Sequence, residues 1–133
     1  MNTIFTNYDK NPFFKEREFV CKCKKCQNAY VYKELIDKLT IARENANTPF
    51  IITSGCRCPE HNSKVKGSQN SDHLASLEYY ICCGVDIHCI DNTNRFVIIK
   101  SLLDAGINRI GLDKTFIHAG IDKRNKANKI WFY

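Results

Sequence analysis

An α+β fold is what this sequence predicts. Two segments repeat apolar residues at helical spacing, several short stretches alternate as strands do, and the two kinds follow no regular β-α-β rhythm. A chain of 133 residues is long enough to bury a real core. One compact domain over residues 1–133 is expected, a small and mostly antiparallel sheet with two main helices.

The first helix is predicted over 29–46, "AYVYKELIDKLTIARENA", where Val31, Leu35, Ile36, Leu39 and Ala42 form one apolar stripe. After Pro49, the residues Phe50 to Thr53 read as a short buried strand that stops at Gly55. Pro59 suits the first turn of a short helix over about 59–65, and "KGSQNSD" has loop chemistry. "CGVDIHC" alternates as a strand, with Val85 and Ile87 on one face and Asp86 and His88 on the other. The second helix is expected to start near Asn92 or Thr93, to carry Phe96, Val97, Leu102 and Leu103, and to stop at Gly106. "NRIGLD", "TFIHAGID" and "KIWFY" read as three short strands, the last two joined in a hairpin by the charged turn "KRNKAN".

Lysine and arginine outnumber acids by 20 to 14, for a net charge of +6. The basic residues are scattered among acids and asparagines, so no specific nucleic-acid partner is expected; an anionic envelope polymer fits the charge equally well. No apolar run approaches the roughly 18 residues of a membrane span. The N-terminus lacks the basic start and apolar stretch of a secretory signal. The expectation is therefore a chain made in the cytoplasm that reaches any external target by some other release.

Eight cysteines are present. Without a signal peptide the expected compartment is reducing, and thiols are the default. Cys23 and Cys26 have the two-residue spacing of a zinc knuckle, which Cys56 and Cys58 or Cys82 and Cys83 would complete.

Four histidines stand at 61, 73, 88 and 118. A catalytic zinc needs three ligands from His, Asp, Glu and Cys and keeps a fourth position for water, whose pKa it lowers to about 7. His73 after a loop, Asp86 inside an apolar strand and His118 between Ile117 and Ala119 can supply them. A buried carboxylate without a cation or donors is costly, and a metal would remove that cost.

In order along the chain, "ITSGCRCPEHNSKVKGSQNSDHL", "GVDI", "RIG", "FIHAGID" and "IWFY" resemble the zinc D-alanyl-D-alanine carboxypeptidases and the related phage L-alanyl-D-glutamate endopeptidases. The likeness runs from "EFVCKC" to the C-terminus. It implies zinc on His73, Asp86 and His118 at the sheet surface, with the peptidoglycan stem peptide as substrate. It makes Arg57 a group that anchors the substrate or stabilises developing negative charge, and Ser71 a group that orients the peptide. It also implies a monomer that acts on the cell wall after release, or one associated with a phage particle.

Two departures from that pattern stand out. The family's first histidine and aspartate are usually seven residues apart, whereas His73 and Asp86 are thirteen apart, with the additional residues within "SLEYYICC". Lengthening a surface loop costs little closure entropy, and Tyr79, Tyr80 and Ile81 would then lie at the mouth of the site. The family's general base is also missing: Thr115 stands three residues before His118 and Gly120 two after it, where a carboxylate is usual. Asp113, Asp122 and His88 are the substitutes on offer. A zinc-binding homologue that holds cell-wall peptide without cutting it, or a phage structural module, is therefore the alternative. In a third reading, a thiol hydrolase, Cys82, Cys83 or Cys89 would act with His88 or His118.

Overall fold

The computed structural model describes residues 6–23, 25–26, 30–68, 71–74 and 82–133. A 3-10 turn at Glu16–Glu18 leads to helix α1 (Lys33–Ala46), strand β1 (Ile52–Ser54), helix α2 (Pro59–Lys64) and strand β2 (Gly84–His88). Helix α3 (Asn92–Asp104) and strands β3 (Arg109–Leu112), β4 (Phe116–Gly120) and β5 (Lys129–Phe132) complete the α+β chain.

Local chemistry sets the helix ends. Asn47 closes α1 in the left-handed region, at φ 49°. Cys58 caps α2, its sulfur accepting from the His61 N–H, and Pro59 takes the first turn, where a missing N–H costs nothing. The Asp91 carboxylate caps α3 by accepting from the N–H groups of Thr93 and Asn94. At the other end of α3, Gly106 adopts φ 92°, and the Ile107 N–H returns to the Leu102 carbonyl at 2.9 Å.

The five strands lie in the order β1-β2-β4-β3-β5. Every pairing is antiparallel except the last, in which β5 runs parallel to β3. The strand-to-strand alternation gives the sheet two unlike faces. Val85, Ile87, Ile110, Ile117 and Ala119 are fully buried and join Leu35, Ile36 and Leu39 of α1 and Ile98 and Leu102 of α3 in one core. The register pairs Asp86 with His118 and His118 with Gly111, so these residues occupy the opposite face.

Several elements differ from the sequence expectation. Helix α1 begins at Lys33, because Val31 is drawn into an isolated bridge with Cys82. Strand β1 is only partly buried, as befits an edge strand paired on one side. In α3 the buried positions are Ile98, Ser101 and Leu102, while Phe96 and Leu103 are exposed at 69% and 46%. The expected β4–β5 hairpin does not form: the chain crosses β3 and adds β5 on its far side. A parallel neighbour needs such a crossover, which the segment between β4 and β5 supplies. Cys56 and Cys82, read as thiols, form a disulfide, their Cα atoms 5.4 Å apart, within the usual bridging range. No helix among the described residues is long and apolar enough to cross a membrane.

Leu39 sits at the centre of the helix–sheet core with no exposure. Leu39→Ala is expected to lower unfolding stability by about 2–5 kcal/mol, read as a lower denaturant midpoint with unchanged slope.

Candidate metal centre

His73, Asp86 and His118 come together on the open face of the sheet. All three are buried, and each offers a ligand atom within 4.8 Å of the others. Asp86 Oδ1 lies 3.0 Å from His73 Nε2 and 3.0 Å from His118 Nδ1, and the two nitrogens are 3.1 Å apart. Strand pairing places Asp86 opposite His118. His73 arrives from the other side, on a turn in which the Ser71 hydroxyl accepts from the His73 N–H and the His73 carbonyl accepts from the Arg57 N–H.

The outward nitrogens fix how these rings present themselves. His73 Nδ1 faces the Gly55 carbonyl at 2.7 Å and must donate to it. His118 Nε2 lies 2.7 Å from the Asp72 carboxylate. With a proton on each outward nitrogen, the inner nitrogens carry lone pairs that converge on Asp86. Two lone pairs facing one another at this distance call for a cation between them, so the residues present fit a divalent metal. Two imidazoles and a carboxylate are a donor set that zinc accepts.

Burial favours the neutral form of His73 and keeps its pKa below the ordinary histidine value. Burial also opposes charge on His118, yet hydrogen bonds to Asp72 and Asp86 outweigh it and raise the pKa. Burial alone would raise the Asp86 carboxyl, yet its contacts with the His118 and His73 rings outweigh that and hold it well below the usual carboxylate range. The carboxylates that favour a proton on His118 equally favour a metal ion in its place, so binding is coupled to proton release.

Asp72 is the residue that reading the sequence missed. It is 2% exposed and receives the Arg109 Nε at 3.1 Å, the Asn125 amide at 3.1 Å and the His118 ring. Its place explains two glycines. A Cβ at Gly120 would lie 2.3 Å from Asp72 Oδ2, and one at Gly84 would lie 2.5 Å from Asp72 Cβ. The carboxylate expected at position 120 is thus replaced in space by one from position 72, aimed at the far nitrogen of His118. The signal available in the sequence was its adjacency to His73 together with small residues on the strands opposite.

Arg57 joins the cluster at its edge, its guanidinium 3.6 Å from Asp86 Oδ2 and within 3.5 Å of Ser54 Oγ. Trp131 of β5 packs on the His118 ring at 5.5 Å, and Tyr133 packs on Trp131 at 6.2 Å. Burial, with the charge of Asp86 next, pushes the Tyr133 phenol up to about 12, so it stays protonated.

Other expected groups are engaged elsewhere. Asp113 accepts from the N–H and hydroxyl of Thr115 in the β3–β4 turn. Asp122 is buried and bound by Arg124 through two guanidinium nitrogens. His88 is exposed at the end of β2. Tyr79, Tyr80 and Ile81 lie outside the described residues. A cleft of about 600 Å³ is lined by Ile90, Arg95, Phe132 and Tyr133 and by none of the three candidate ligands.

The thiol hydrolase reading gains no support from its cysteines. Cys82 is in the disulfide, burial pushes the Cys83 thiol up to about 12, and burial raises Cys89 as well.

Asp72→Asn keeps the side-chain volume but weakens the carboxylate behind His118. Zinc affinity is expected to fall about 10–100-fold, measured by competition with a chromophoric chelator. Gly120→Ala, which drives a methyl group into Asp72, is expected to act in the same direction; unchanged affinity in both variants would show that Asp72 does not support the metal.

No curated protein and no solved structure matches the chain. A family model described as Peptidase M15 matches residues 12–120, a span that contains Arg57, His73, Asp86 and His118. With most of the chain matched and a His-Asp-His centre in place, this protein belongs to the peptidase M15 family of metallopeptidases.

Proposed function

We propose that this chain is a zinc-dependent peptidase acting on the stem peptide of peptidoglycan, cutting a D-alanyl-D-alanine or an L-alanyl-D-glutamate bond. The observation that carries the reading is the convergence of His73 Nε2, His118 Nδ1 and Asp86 Oδ1, with each ring's other nitrogen committed to a fixed partner.

Zinc, when bound, supplies Lewis acidity toward a carbonyl and makes water nucleophilic at neutral pH. The protein's own residues do the rest. His73, Asp86 and His118 hold the ion and are themselves held by Gly55, Asp72 and Arg109. Arg57 presents a fixed positive charge beside the ligands, suited to a substrate carboxylate or to an oxygen gaining negative charge. Ser71, whose oxygen already accepts from the His73 N–H, keeps its own hydroxyl proton for the peptide. Trp131 and Tyr133 form an aromatic wall beside His118. The net charge of +6 draws the chain toward an anionic cell wall. Action as a monomer, after release by another agent or from a phage particle, completes the reading.

A second reading has its own support. Asp113 and Asp122, the carboxylates offered as proton acceptors, are tied up by Thr115 and by Arg124, and Asp72 faces the outer nitrogen of His118. This favours a homologue that binds zinc and cell-wall peptide without hydrolysis.

Incubation of the zinc-loaded protein with whole peptidoglycan, with products identified by mass, separates the two. Release of D-alanine or of a stem peptide cut after L-alanine is expected, and it should stop with a metal chelator and with His73→Ala. Arg57→Ala is expected to lower turnover by about 100–1,000-fold, the scale for removing a donor to a developing oxyanion. Bound zinc with no cleavage would establish the binding reading, and cleavage indifferent to chelation would overturn both.

A further inference from the structure

A second group of metal-ligating side chains lies apart from the histidine centre. Cys21, Cys23, Cys26 and Cys58 bring their four sulfurs within 4.8 Å of one another, and Cys23 and Cys26 approach to 3.4 Å. Sulfurs at the corners of a tetrahedron around zinc, each about 2.3 Å from it, stand about 3.8 Å apart. The observed cluster is of that size. None of the four belongs to the Cys56–Cys82 disulfide.

The backbone around the sulfurs is arranged as it is around thiolates. Cys23 Sγ accepts from the N–H groups of Lys25 and Cys26, both at 3.3 Å. Cys21 Sγ accepts from the Cys58 N–H at 3.3 Å, and Cys58 Sγ from the His61 N–H at 3.4 Å. Amide donors to sulfur stabilise the negative charge that a thiolate ligand keeps when it binds zinc. Burial grades from Cys21, which is buried, to Cys26, which is exposed, so the cluster opens to solvent on one side and an ion can enter.

We propose that Cys21, Cys23, Cys26 and Cys58 form a structural zinc site, closed by four thiolates and distinct from the His73–Asp86–His118 centre. All four positions are filled by protein, so this ion has no open site for chemistry. Its work is mechanical. It ties the segment before α1 to the residue that caps α2, and Cys58 directly follows Arg57. The chain entering Arg57 is anchored too, since Phe19 accepts from the Cys56 N–H at 2.9 Å. Arg57 is thus fixed on both sides in sequence, and the thiolate ion supplies one of the two anchors.

The full-length chain, expressed with zinc, tests this by metal analysis. Two zinc ions per chain are expected, falling to one in His73→Ala and to one in the Cys23→Ser, Cys26→Ser double variant. In His73→Ala reloaded with cobalt, the remaining ion should show intense sulfur-to-cobalt charge-transfer absorption, and a mercurial thiol reagent should release it. This readout needs no cysteine variant to fold and no histidine site to work. If the histidine centre holds no zinc at all, one mercurial-sensitive ion per chain still supports the thiolate site. The proposal is overturned by a single zinc that disappears with His73→Ala, by cobalt spectra without sulfur character, or by a Cys23–Cys26 disulfide in metal-replete protein.

Discussion

Asp86 is a carboxylate on the second strand of a five-stranded sheet, with only 6% of its surface exposed, and a charge so placed is tolerable only when cations or N–H donors face it. Three groups surround it, two of them rings whose inner nitrogens share with it the need for a cation. His118 comes across the ladder from β4, His73 comes down from the turn after α2, and Arg57 closes the remaining side. The geometry of the open face follows from meeting the need of this one group.

The next layer of the structure is explained by what those partners need in turn. His118 can offer its inner nitrogen only if its outer one is engaged, and Asp72 does this from within a buried network with Arg109 and Asn125. Space for Asp72 is made by Gly84 and Gly120, whose missing side chains leave room for its carboxylate against the strands. Arg109 in turn lies over the Trp131 ring at 5.0 Å, which brings β5 into the same arrangement. A candidate metal triad, a buried charge network and a parallel edge strand are therefore one connected structure.

Much of this was legible in the sequence, and the reasons are local. The period of Leu35, Ile36 and Leu39 announces α1, and the alternation of Val85, Asp86 and Ile87 announces both β2 and the isolation of its carboxylate. The candidate metal ligands stood out because each is a polar group where apolar neighbours leave it unexplained, and the fold brings the three together. What was not legible depends on pairing between distant segments. Nothing in "KRNKAN" tells whether β5 returns beside β4 or crosses to β3, since the charged turn suits either path. Which of the apolar residues of α3 are buried was not legible either, because apolar type does not specify which side of α3 meets α1, and Phe96 and Leu103 end exposed. Asp72 was hidden for the same reason: its role is set by Arg109 and His118, which are 37 and 46 residues away. The cysteine pairing also lay beyond a reading based on compartment, because it depends on two residues 26 apart in sequence meeting in space.

The Cys56–Cys82 link, with a sequence separation of 26, makes a covalent ring of the segment between them. Arg57, α2, Ser71 and His73 all belong to that ring, while Asp86 and His118 belong to the sheet outside it. The ring is fastened at its base and pinned again where His73 meets Gly55. Because closure entropy grows only with the logarithm of length, residues can be added within such a ring at small cost to the whole. The sheet can therefore keep its half of the centre constant while the length of such a ring varies. In that sense the centre is built from two halves of different kinds, a covalent ring that carries Arg57, Ser71 and His73 and a hydrogen-bonded sheet that carries Asp86 and His118.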